Sequence, residues 1–335
     1  MPRIPDDLLS RIKQETPVER LAAARGIALK KHGADLIGLC PFHDDREPSL
    51  VITPSKNLWH CLGACQTGGT AIDWVMKADG VSFRQAVEVL RADFFPTSPS
   101  LDRPPKRTSV PQLASPLECE VSDRELLGQV IDYYHQTLKE SPECLAYLER
   151  RGLMHPELID RFRLGYANRT LGYRLPAMNR KAGAEIRGRL QKLGVIRESG
   201  HEHLNGSLVI PILGEEGEVL GAYGRKLLSN LRPGTPMHLY LPGPHRGVFN
   251  IEALKSSKEV ILCEALIDAL TFWCAGFRNV TSAYGVEGFT HDHLAAMKIY
   301  GTEHVLIAYD RDDAGDADTA ESPGGRAASG SRSPA

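Results

Sequence analysis

Apolar positions recur at helical spacing between residues 5 and 27, where Leu8, Leu9, Ile12, Leu21 and Ala24 mark a helical segment and Gly26 supplies a stop. From 36 to 69 short apolar pieces alternate with turn residues, the pattern of a small β unit. Helical spacing returns over 70–92 in two pieces, "TAIDWVMKAD" and "SFRQAVEVLRADF", interrupted at Gly80, with Ser82 placed to cap the second. Residues 96–117, "PTSPSLDRPPKRTSVPQLASPL", are rich in proline and serine and read as a solvated, semi-stiff linker.

Beyond the linker, residues 121–165 are mainly helical. "SLVIPIL", a Gly/Glu turn at 214–218 and "EVLGAYGRKL" then predict a hairpin. From 259 the pattern alternates: "EVILC", "EALIDALTFWCAG", "NVTSAYG", "HDHLAAMKIYG", "HVLIAYD". Strand–helix–strand alternation of this kind builds a parallel sheet with crossover helices. There is no internal repeat, and residues 317–335 are low in complexity and expected to be disordered. The expected organisation is a multidomain α+β and α/β chain with boundaries at 1–95, 96–120 (linker), 121–258, 259–316 and 317–335.

Composition changes this picture little. The chain has 335 residues, 42% hydrophobic and 24% charged, as in a water-soluble globular protein of two or three domains. No run reaches the ~18 apolar residues of a membrane span, and no apolar secretory signal opens the chain, so no membrane association and a cytoplasmic location are expected. Charge is informative only locally. Residues 161–197 carry ten basic side chains against one acidic (+9), and residues 259–321 carry three basic against twelve acidic (−9). A basic stretch is either a footprint for a polyanion or a solvated face, and both readings stay open here.

Seven cysteines form no even framework for disulfides. Four of them, Cys119, Cys144, Cys263 and Cys274, are scattered and read as inert thiols. The other three stand with a histidine in two close pairs, Cys40-x2-His43 and Cys61-x3-Cys65. Four nitrogen and sulfur donors on two β turns suit a closed, tetrahedral structural Zn²⁺ site, which stabilises a domain too small for a full core. His60 adjoins Cys61 and competes for the role of ligand.

A second constellation lies at the ends of two apolar strands. "EVILCEALIDAL" ends a strand at Glu264 and places Asp268 four residues on; "VLIAYDRDDAG" ends another at Asp310 and Asp312. In a parallel sheet both strands deliver these acids to one edge. Oxygen donors without histidine or cysteine suit Mg²⁺ or Mn²⁺, and such ions serve phosphoryl transfer. The alternative role for such acids is helix capping.

The residues around both constellations carry a family resemblance. "CPFHDDREPSLVITPSKNLWHCLGACQTGGTAIDWV" resembles the zinc ribbon of bacterial DnaG-type DNA primases, differing in that the family's second pair is Cys-x2-Cys. Glu264-x3-Asp268 with Asp310-x-Asp312 resembles the Toprim domain shared by primases, topoisomerases and some nucleases. "AYLERRGL", "IDRFRLGYA" and "LVIPILGEEGEVLGAYGRKL" resemble the primase core between them. The resemblance implies an N-terminal zinc-ribbon DNA-binding domain with flanking helices, a mixed α+β primase core, and a Rossmann-like, C-terminally truncated Toprim sheet. It also implies primer synthesis on single-stranded DNA from ribonucleoside triphosphates, with Glu264, Asp268, Asp310 and Asp312 catalytic and Arg225 near nucleic acid or nucleotide phosphate. A replicative helicase is the implied partner. In the ribbon, Trp59, Phe42, Lys56 and Arg46 are candidates for base stacking and phosphate contacts, with a place in the core the better role for Phe42.

The family's further acidic motif, helical subdomain and helicase-docking module have no counterpart in residues 317–335. Two functions therefore stand side by side. One is a metal-dependent primase; the other is a zinc-dependent single-stranded DNA-binding protein without catalysis. A Toprim nuclease is a weaker third.

Overall fold

The computed structural model describes residues 4–94, 115–118, 120–176, 180–228, 230–231 and 233–309. Most of the expected linker, and residues 317–335, lie outside these residues. The chain is packed again by Leu117, which is buried, and the Glu118 N–H donates to Gln129 Oε1 at 2.8 Å. It divides into two compact units. The first comprises Met1–Thr137, Tyr166–Ser207 and Lys226–Met237; the second comprises Leu138–Gly165, Leu208–Arg225 and His238–Ala335.

In the first unit the helical segment expected over 5–27 is two helices, Asp6–Glu15 and Val18–Ala24. Pro17 has no N–H to continue the ladder and pushes Thr16 into an extended conformation, which breaks the helix. Asn57, in a left-handed turn, ties the break together. Its Oδ1 accepts the Val18 N–H at 2.8 Å and its Nδ2 donates to the carbonyls of Lys13 and Thr16, both at 2.7 Å. Orphan groups at both helix ends are thereby satisfied by one side chain.

Five short strands follow in a sheet of sequential order: β1 (Lys30–His32), β2 (Asp35–Gly38), β3 (Leu50–Thr53), β4 (Leu58–Cys61) and β5 (Gly68–Gly69), each antiparallel to the next. The β3–β4 register pairs Leu50 with Cys61 and Ile52 with Trp59, and period-2 alternation turns all four inward. Helix Ala71–Asp79 closes the core. Thr70 and Asp73 form a capping box at its start, and Gly80 ends it at φ 65°, a left-handed position that favours glycine. Ser82 caps the next helix, Phe83–Phe94, as its position predicts: the Gln85 N–H donates to Ser82 Oγ.

In the second unit lie helices Pro142–Arg150 and Pro156–Arg161. β6 (Gly165–Ala167), β7 (Ser207–Leu213), β8 (Val219–Lys226) and β9 (His238–Tyr240) form a sheet in that order. The expected hairpin is β7–β8, its turn closed by the Gly214 N–H on the Glu218 carbonyl at 2.8 Å. β9 adds antiparallel to β8 and pairs Arg225 with His238. The C-terminal part is a three-stranded parallel sheet of order β11–β10–β12, with β10 (Glu259–Cys263) between β11 (Val280–Ser282) and β12 (His304–Ala308). Helices Leu266–Cys274 and His291–Tyr300 connect the strands, as the alternation of apolar runs predicts.

Candidate functional site

Cys40 follows β2, His43 sits in the turn after it, Cys61 ends β4 and Cys65 lies in the turn before β5. Their ligand atoms all lie within 4.8 Å of one another. Cys40 and Cys65 Sγ are 3.6 Å apart, and His43 Nδ1 is 3.9 Å from Cys61 Sγ. A tetrahedral ion with ~2.3 Å Zn–S bonds needs donors roughly 3.8 Å apart, so the cluster fits zinc without rearrangement. Among the three crowded sulfurs, hydrogen bonds from Cys40 and Cys65 draw Cys61 toward the thiolate, while hydrogen bonds with Cys61 and Cys65 push Cys40 up. His60 is exposed on β4 and stands outside the cluster. The one-residue-longer second pair therefore still closes a four-donor site.

Sequence reasoning did not single out Asp45 and Ser49, which brace this site. Asp45 Oδ2 accepts the Cys40 N–H at 2.6 Å and the Ser49 hydroxyl at 2.7 Å, and Oδ1 lies 3.3 Å from His43 Nε2. Nε2 is thus occupied by the carboxylate, and Nδ1 faces the sulfurs. Half-buried Lys77 stands beside the cluster with its Nζ 5.6 Å from the ring centres of Phe42 and Tyr173. Burial pushes its pKa down, against the pull of the Cys65 and Cys40 sulfurs.

Trp59 is not a stacking platform. It is 2% exposed, its Nε1 donates to the Thr70 carbonyl at 3.2 Å, and its ring lies 5.0 Å from Phe42 and 5.3 Å from Trp74. With Phe42 and Trp74 it forms the centre of the ribbon core, because a unit this small has few other large apolar side chains to bury. Lys56 and Arg46 are exposed.

In the second unit Glu264 stands immediately beyond β10, and Asp268 lies in the first turn of helix Leu266–Cys274; both are half-buried. The register pairs Cys263 with Ala308, so Glu264 is level with Tyr309 at the C-terminal edge of the parallel sheet. Asp310 and Asp312 lie outside the described residues. Glu264 is held by its own backbone, whose carbonyl accepts the Gly285 N–H at 3.1 Å. Arg225, on β8, meets His238 across the β8–β9 pair, and the neighbouring Tyr223 hydroxyl lies within the field of Asp268. Burial is the larger reason that Tyr223 is pushed up to about 12.

The basic stretch divides into two kinds of side chain. Arg187 donates to the carbonyls of Gly172 and Pro176, and Arg189 pairs with Asp123 at 2.7 Å and donates to the Val121 carbonyl. These two hold helix Lys181–Lys192 to its surroundings. Arg169, Arg180, Lys181, Lys192 and Arg197 are exposed in the first unit. Among the described residues no helix is long and apolar enough to cross a membrane.

Comparison with known proteins agrees with these modules. A family model described as CHC2 zinc finger matches residues 4–101, one described as DNA primase catalytic core, N-terminal domain, matches 133–252, and one described as Toprim-like matches 261–323. A DNA primase of Enterococcus faecalis is 27% identical over 332 residues, covering 93% of this chain and 51% of the relative. One of Campylobacter jejuni is 28% identical over 305 residues, covering 86% and 46%. The chain spans about half the length of the curated relatives it matches. Among solved structures, the zinc-binding and RNA polymerase domains of the Aquifex aeolicus primase superpose with a TM-score of 0.49 at 24% identity, over 93% of this chain and 74% of that one.

A four-donor cysteine–histidine ribbon, a mixed α/β core and a Toprim-like parallel sheet follow one another in this order along the chain. These three segments match, in order, the domain models of the bacterial DnaG-type DNA primases, the family that the chain resembles along most of its length.

Proposed function

We propose that this chain makes short RNA primers on single-stranded DNA, joining ribonucleoside triphosphates by metal-dependent nucleotidyl transfer in the cytoplasm. The observation that carries the reading is the position of Glu264. It stands immediately beyond the central strand of a parallel sheet whose neighbour, β12, precedes the Asp310-x-Asp312 sequence. Glu264, Asp310 and Asp312 would hold Mg²⁺ or Mn²⁺, with Asp268 beside them on the first helical turn. The ion would neutralise charge developing on the transferred phosphate.

The chain's own residues supply the rest. Arg225 is a phosphate contact, because its planar donor fork matches phosphate oxygens. The ribbon, with exposed Lys56, holds template, and the exposed cations of the first unit add a sequence-independent attraction for the strand. A replicative helicase is the expected partner of primer synthesis. The domains run as ribbon 1–95, linker 96–120, core 121–258 and Toprim sheet 259–316.

The test is incorporation of labelled ribonucleotides on single-stranded DNA with Mg²⁺ or Mn²⁺. Short RNA products that vanish with Glu264→Gln support the reading. No products, with zinc content and DNA binding intact, would favour a binding protein without catalysis.

A further inference from the structure

The β8–β9 pair sets Arg225 directly opposite His238, and the two side chains meet. A guanidinium has only donors, so the ring nitrogen that faces it must offer a lone pair. Arg225 Nη1 contacts His238 Nε2 most closely, with Nδ1 farther off at 3.3 Å, and Tyr223 Oη lies 2.5 Å from His238 Nδ1. With Nε2 occupied as an acceptor, the ring proton resides on Nδ1 and Tyr223 oxygen receives it. The tautomer follows from this chain of partners: Arg225 donates to His238, which donates to Tyr223.

We propose that His238 is a positioning residue for Arg225, fixing the guanidinium in place by accepting its N–H, and that protonation of His238 releases it. The proposal rests on the reading of Arg225 as a phosphate contact. An imidazolium has no lone pair left for the arginine and carries a like charge beside it. Protonation of the ring and the held position of Arg225 are therefore mutually exclusive, and each state opposes the other by linkage.

The surroundings favour the neutral ring. Burial lowers the pKa of His238 most, followed by the charges of Arg225 from β8 and Arg151 from the end of helix Pro142–Arg150. Tyr223 and Tyr240 are titratable groups of the same sheet close to the ring; burial pushes both upward, Tyr223 to about 12, and so they stay neutral where histidine titrates. No carboxylate is among the groups that shift His238. The local field thus opposes protonation of the ring.

The experiment follows the His238 ring by NMR across pH in the full chain, and in parallel the affinity for ATP with Mg²⁺. Arg225→Gln removes a cation and a donor and should raise the His238 pKa by about one unit or more, a tenfold change in protonation. Wild-type affinity for ATP should fall several-fold as the ring protonates. His238→Gln, which keeps an acceptor and a donor, should bind near the wild-type level at pH 8 and lose this pH dependence, whereas His238→Ala should bind more weakly throughout. An unchanged His238 titration in Arg225→Gln, or a wild-type pH profile in His238→Gln, would overturn the proposal. If the titration shifts but Arg225→Gln binds ATP as wild type does, the coupling of the two residues stands and the phosphate role of Arg225 fails.

Discussion

Asp45 holds His43 by its Nε2, at 3.3 Å, and with its other oxygen accepts the Cys40 N–H at 2.6 Å. One buried carboxylate thus restrains two of the four zinc donors, and it leaves Nδ1 as the ligand atom of His43. Such outer partners typically contribute 10–100-fold to metal affinity. Asp45→Ala should therefore weaken zinc binding by about that factor, measured by competition with a chromophoric chelator. Zinc affinity equal to wild type would make the carboxylate a turn-forming residue and nothing more.

Trp59 belongs to the core, and its substitution should act on stability. Trp59→Ala removes a ring packed on Phe42 and Trp74 and should cost roughly 3–5 kcal/mol in denaturant unfolding of the zinc-loaded chain. Lys56→Ala, at an exposed site, should leave stability within about 0.5 kcal/mol. An unchanged unfolding midpoint for Trp59→Ala would contradict the assignment.

Much of this molecule is legible in the sequence, for reasons that differ by site. The parallel sheet is readable because β10 and β12 are short apolar runs closed by Glu264 and Tyr309–Asp310, and the segments between them keep a helical period. The zinc donors are readable because ligand chemistry admits few residue types at close spacing. Trp59 misleads because an aromatic beside a zinc ligand suits stacking and core packing equally; the alternation Leu58, Trp59, His60, Cys61, with Cys61 inward, is the signal that places Trp59 inward too. The break at Thr16 was available in Pro17. Asp45 and Ser49 share a short stretch with Cys40 and His43, but their residue types at those spacings do not mark them as braces; His238 meets Arg225 only through the β8–β9 pairing.

Glu202 should make stability depend on pH. It is 5% exposed, accepts the Leu171 N–H at 3.0 Å, and burial pushes its pKa up to about 7. A carboxyl raised in the folded state favours folding in its protonated form. Its contribution is complete below the ordinary carboxylate range and is lost as pH rises through about 7. The loss approaches ~3 kcal/mol at pH above 8. Glu202→Gln keeps the acceptor without the charge, so thermal unfolding should show it more stable than wild type at pH 8 and nearly equal at pH 5. A constant difference across that range would contradict the role of this group.

The exposed cations should govern the salt response of DNA binding. If Lys181 and Lys192 each neutralise one phosphate, the double alanine variant should lower the slope of log affinity against log salt by about 1.4. Arg187, which bonds carbonyls of its own unit, should instead lower stability when replaced by alanine. An unaltered slope for the double variant would leave those lysines as surface charge.

The central claim is that the acids at the sheet edge hold a divalent metal, and binding of Mn²⁺ to the zinc-loaded chain measures it without requiring turnover. Titration followed by electron paramagnetic resonance should show Mn²⁺ bound by the wild-type chain and at least tenfold weaker binding in Glu264→Gln and in Asp310→Asn. Equal binding by all three proteins would mean that these acids are not metal ligands.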